Sequence, residues 1–72
     1  MHSFAEVIDL FGGPAAFARE VGMSAGAAKQ AKRRGSLGSR WFAATVQAAE
    51  RKGFADITHE RLSELAAHRE AA

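Results

Sequence analysis

The chain has 72 residues and a mass of 7.7 kDa, enough for one domain, because a chain of this length buries only roughly 60% of its unfolded surface and has no material for a second core. Cysteine is absent, so neither a disulfide framework nor a thiolate zinc site supplies stability, and a reducing compartment is expected. The net charge is only +2, but Ser24 to Arg40 holds five cations (Lys29, Lys32, Arg33, Arg34, Arg40) and no acid, which leaves −3 for the rest and predicts one basic face.

Hydrophobic residues make up 47% of the chain, yet 17 of them are alanine. The interior is therefore expected to be thin and built from closely approaching helices. Straight-chain residues and alanine dominate, and apolar positions recur at three and four, so the fold class is all-α, a compact bundle of about five short helices. Ser3 with Glu6 three residues on is a capping-box pattern, and Phe4, Val7, Ile8 and Phe11 then share one face of a first helix, Phe4 to Phe11. Gly12 and Gly13 stop it, and Pro14 opens a second helix that runs to Val21. Gly22 ends that helix in the left-handed conformation, and Ser24 caps a third, Ala25 to Arg34, whose last turns hold three cations at the negative end of the helix dipole.

Gly35 terminates the third helix, and Leu37 is expected to turn inward from the loop Gly35-Ser36-Leu37-Gly38. Ser39 is the expected cap of a fourth helix with Phe42, Val46 and Ala49 on one face, ended by Gly53 and Phe54. Thr58 caps a fifth helix with the stripe Leu62, Leu65, Ala66 and Arg69, and the tail from His68 to Ala72 is expected to fray. The first residues lack a basic and apolar leader, and no run approaches the ~18 apolar residues of a membrane span. A cytoplasmic location, at the bacterial nucleoid, and no membrane partner are the expectations.

Function is concentrated around residues 14–35. Only Gly22-Met23-Ser24 separates the second helix from the basic third one, and a short connection containing glycine is the helix-turn-helix pattern, in which the second helix reads the DNA major groove. Ala18 lets the two helices approach, Met23 plugs the turn and Ala28 faces inward, while Ala25, Gly26, Lys29, Gln30 and Arg33 face outward.

The segment FAREVGMSAGAAKQAKRRG, Phe17 to Gly35, resembles the helix-turn-helix of phage Cro and lambda-repressor-like regulators, matching at Ala18, Gly22, Met23 and Gly35. Phe11 to Ala66 as a whole is similar to the small YdaS-like, or carph-isopro, branch, with two departures: Ala31 stands where that branch often carries tryptophan, and Leu37-Gly38 replaces its Ile-Pro. The resemblance implies a phage-like transcription regulator, repressor or activator, that binds double-stranded DNA with residues 25–34. It places Ala25, Gly26, Lys29 and Gln30 at base edges, with Lys29 suited to guanine and Gln30 to adenine. Ser24, Lys32, Arg33, Arg34 and Arg40 are better placed for phosphates, which fix register without reading sequence. Gly26 is unusual because glycine within a helix costs up to ~1 kcal/mol relative to alanine, and close approach of the backbone to DNA would compensate.

Promoter occupancy would exclude RNA polymerase or offer it a contact. One recognition helix reads few base pairs, so pairing of two copies is expected, with the helix at 58–69 as the candidate homodimer surface unless Leu62 and Leu65 are needed to cover Phe54 and Ile57. Other readings are a protein-interaction module, such as an antitoxin or polymerase-binding factor, and an architectural, excisionase-like DNA binder. His2, His59 and His68 lack metal-ligand spacing, Ser3, Ser24 and Ser39 precede helices as caps, and no phosphate loop or paired carboxylates are present. No metal, cofactor or catalytic residue is expected.

Overall fold

The computed structural model describes residues 3–71, with side chains through Ala67, and contains five α-helices and no strand among those residues. The helices are α1 (Phe4–Leu10), α2 (Pro14–Val21), α3 (Ala25–Arg34), α4 (Phe42–Lys52) and α5 (His59–Ala71), with a 3-10 turn at Ser39–Trp41 before α4. None of them is long and apolar enough to cross a membrane. The radius of gyration is 10.8 Å, close to the ~11 Å of a well-packed chain of this length.

Local chemistry sets most of the boundaries. Ser3 Oγ accepts from Glu6 N at 3.2 Å and Ser24 Oγ from Ala27 N at 3.1 Å, which fixes the starts of α1 and α3. Thr58 Oγ1 does the same for α5, accepting from Arg61 N at 3.1 Å. Gly22 and Gly35 end α2 and α3 at φ 82° and 66°, a region that side chains with a Cβ rarely enter. The backbone then closes each end: Met23 N donates to Ala18 O and Ser36 N to Ala31 O, both at 3.1 Å.

Three boundaries differ from the expectation. The first helix stops one residue early, and Phe11 becomes its cap, with its ring buried. Ser39 is not the cap of α4: it opens the 3-10 turn, and neither that turn nor α4 has a side-chain cap. The reason lies in Thr45, which is fully buried and whose hydroxyl donates to the Trp41 carbonyl at 2.7 Å, so the α-helix is organised from Trp41 onward. Finally, α5 extends to Ala71, two residues past the 58–69 bound.

The core is as thin as the composition predicts, and aromatic rings hold it together. Three ring contacts use all five phenylalanines: Phe11 meets Phe17 and Phe54 edge-on at 5.3 and 5.2 Å, and Phe4 stacks on Phe42 at 6.1 Å. Phe11 thereby joins the α1–α2 loop to α2 and to the segment after α4. Val7, Ile8, Leu37, Ile57 and Leu62 fill the space between these rings. The stripe expected to pair two copies is used here: Leu62 is 0% and Leu65 8% exposed within the single chain, which removes them from any dimer surface. The side chain of Arg69, the last member of that stripe, lies outside the described residues, as do those of His2 and His68; His59 is exposed.

Phe11→Ala should cost about 3–5 kcal/mol, the range for removing a buried ring. In a chain of this size that is a large share of total stability. Chemical denaturation followed by circular dichroism should show the midpoint collapsing, and a loss below about 1 kcal/mol would contradict the role assigned to Phe11.

Candidate nucleic-acid interface

The basic segment falls on α3, and α3 is held in an unusual way. It makes its most extensive contact with α2 and a second with α1, yet Ala28 is its only fully buried residue. Ala18 on α2 is also buried, so each of the two helices contributes a small side chain to the interior. Ala31 is half-buried on the same flank, and Met23 closes the turn below it. Every other residue of α3 is exposed.

Helical geometry separates the exposed residues into groups. At about 100° per residue, Gly26, Gln30 and Arg33 lie nearly opposite Ala28, with Lys29 and Arg34 to either side. All five are exposed, as is Ala25 at the tip. Lys29, Arg33 and Arg34 form no ion pair with any described residue, and neither does Arg40 beyond the helix. Arg40 instead lies over the indole of Trp41, its Cζ 5.0 Å from the ring centroid.

Lys32 departs from the expected set. It lies about 40° round the helix from Ala28, on the flank toward α1, where Nζ meets Asp9 Oδ1 at 2.7 Å. Both side chains are about half exposed, so the pair contributes ~1 kcal/mol at most, but it turns Lys32 away from the face that carries Arg33. Ser24 Oγ acts as the helix cap; its hydroxyl proton remains a donor at the tip of α3.

Part of the remaining charge is paired between helices. Glu20, near the end of α2, meets Arg51 Nη2 at 3.6 Å and Lys52 Nζ at 3.7 Å, and its backbone carbonyl accepts from Arg51 at 2.9 Å. These contacts tie α2 to the C-terminal end of α4. They were not foreseen from the sequence, where only the position of two cations in the last turn of α4 gave a hint.

The first turn of α3 is bare. Ala25, Gly26 and Ala27 are all exposed, and a Cβ added at Gly26 would meet nothing within 4 Å. Its φ is an ordinary negative one. Nothing inside the molecule therefore requires glycine there. No protein-family model, curated protein or solved structure matches the chain.

Gly26→Ala should stabilise the fold, by up to ~1 kcal/mol, because alanine loses less backbone entropy on entering a helix. A thermal melt should show an increase of a few degrees. A decrease would mean that glycine serves the packing of α3 after all.

Proposed function

We propose that this domain binds double-stranded DNA through a lambda-repressor-like helix-turn-helix, with α3 lying in the major groove, and that it acts as a sequence-specific transcription regulator. The single observation that carries the reading is the outward face of α3: ten residues, one fully buried, with unpaired cations grouped at one end and a bare turn at the other. An α-helix with side chains is ~10–12 Å across and the major groove is ~12 Å wide, so an unencumbered tip admits the backbone to the base edges. Gln30 and Lys29 then supply hydrogen bonds to bases, with Ala25 and Gly26 close to the groove floor, while Arg33, Arg34 and Arg40 meet phosphates.

The same face argues against a protein-binding module. Stable protein interfaces centre on buried aromatic and aliphatic anchors with few charges. Here the exposed surface of α3 has small residues and donors, and its nearest large apolar groups, Met23 and Trp41, are half-buried against the core.

Affinity should fall steeply with salt. Four phosphate or groove contacts by Lys29, Arg33, Arg34 and Arg40 would give a slope near −3.6 in log K against log salt, or about two orders of magnitude between 50 and 200 mM. Arg33→Ala or Arg34→Ala should weaken binding to all duplexes and lower the slope by about 0.9 each. Fluorescence anisotropy with labelled duplex across a salt titration measures this, and a flat titration would exclude the proposal.

Sequence reading has its own signature. Gln30→Ala should lose ~1–3 kcal/mol on a selected high-affinity site and far less on unrelated DNA. Gly26→Ala should weaken the selected complex while leaving the fold more stable. Equal losses on both DNAs would remove Gln30 from the reading set, and undiminished affinity in Gly26→Ala would show that the backbone does not approach the bases there.

A further inference from the structure

Beside the outward face of α3 lies a cleft of about 370 Å³, bounded by α3 on one side and by the loop and 3-10 turn at residues 36–41 on the other. Its floor is apolar, formed by Met23, Ala31, Leu37 and the Trp41 indole, and Arg34 stands on its rim. Gln30 marks the edge where the cleft meets the outward face of α3. No acid lines it. Two further clefts differ: that between α1, residues 36–39 and α5 has no charged lining, and that between α4 and residues 53–58 includes Glu50.

We infer that this cleft is a second DNA-contacting surface, which seats the sugar–phosphate backbone of one strand against Trp41. The inference rests on the DNA-binding reading above and adds to it a groove and an aromatic residue that the helix face does not contain. The fit is chemical. A DNA strand alternates anionic phosphate with largely apolar deoxyribose, and the cleft offers the Arg34 guanidinium on its rim beside apolar side chains, while Arg40, which does not line it, lies against the Trp41 indole. Arg40 is oriented in advance. Its guanidinium carbon lies 5.0 Å from the centroid of the Trp41 ring, and no ion pair with a described residue competes for its N–H groups. Continuity with the outward face of α3 through Gln30 lets one duplex occupy both.

Trp41 is the sole tryptophan and there is no tyrosine, so its emission reports on the cleft alone. Random-sequence 20-base-pair duplex is titrated into the full chain, with anisotropy of labelled duplex read in parallel. The expected result is a change in Trp41 emission that saturates with the anisotropy signal, together with protection of Trp41 from iodide quenching. Arg40→Ala should lower the salt slope by about 0.9, and Trp41→Phe should weaken binding about three- to tenfold with an unchanged helical circular dichroism spectrum. Arg61→Ala, which removes a cation on α5 outside the basic segment, controls for general loss of charge. If duplex binds by anisotropy while Trp41 emission and quenching stay constant and Trp41→Phe binds as tightly as the unsubstituted chain, the cleft is not a contact surface, although DNA binding by α3 stands. If no duplex binds at any salt, both readings fall together.

Discussion

Ala28 is the one residue of α3 that is fully buried, and how so lightly buried a helix is held governs the face it presents. An isolated helix of ten residues is marginal in water, and α3 obtains little help from burial because only Ala28 is fully enclosed. Its order comes instead from its ends. Ser24 satisfies an amide at the start, Gly35 turns the backbone so that Ser36 N reaches Ala31 O, and three cations face the negative end of the dipole. Ala18 and Ala28 are both buried, and neither puts a long side chain between the packed helices α2 and α3. A larger residue at either position would displace α3 without filling any vacant space, because both sites are already closed.

Small residues at this junction shift the burden of cohesion to the aromatic rings. With alanine occupying so many interior positions, Phe11 and its neighbours supply much of the buried apolar area, and α5 closes the other side with Leu62 and Leu65. That use of α5 has a consequence for assembly. The leucines that a second copy would need are already enclosed, so pairing through α5 would have to do without them.

How much of this was legible in the sequence depended on whether the signal was local. The bounds of α2 and α3 could be read residue by residue, because Pro14, Gly22, Ser24 and Gly35 each act through their own backbone. The start of α4 could not: Ser39 has the chemistry of a cap, but a buried hydrogen bond from Thr45 to the Trp41 carbonyl decides where the α-helix begins. Lys32 shows the same limit at the site. In sequence it is one of three adjacent cations, whereas successive 100° steps send it toward Asp9 and its neighbours outward. The cleft beside Trp41 was not legible at all, since it forms between residues on α3 and a loop whose path no single residue dictates.

The distribution of charge separates the cations into two kinds. Lys32, Arg51 and Lys52 each find an acid on another helix and help to hold the fold. Among the described residues, Arg19 and Arg61 form no ion pair but stand apart in sequence, whereas Lys29, Arg33, Arg34 and Arg40 form none and are crowded into twelve residues with no acid among them. Such crowding works against folding, since like charges on neighbouring turns repel and only salt relieves them. Acids placed at the exposed positions Ala25 or Ala27 would relieve that repulsion and would also favour the positive end of the α3 dipole. The sequence has neither. A helix that forgoes this neutralisation, and also has glycine where alanine would fold better, has the composition expected of a surface whose neutralising charges come from outside the chain, and on the proposed reading a duplex with one phosphate charge per ~1.7 Å of axis would supply them.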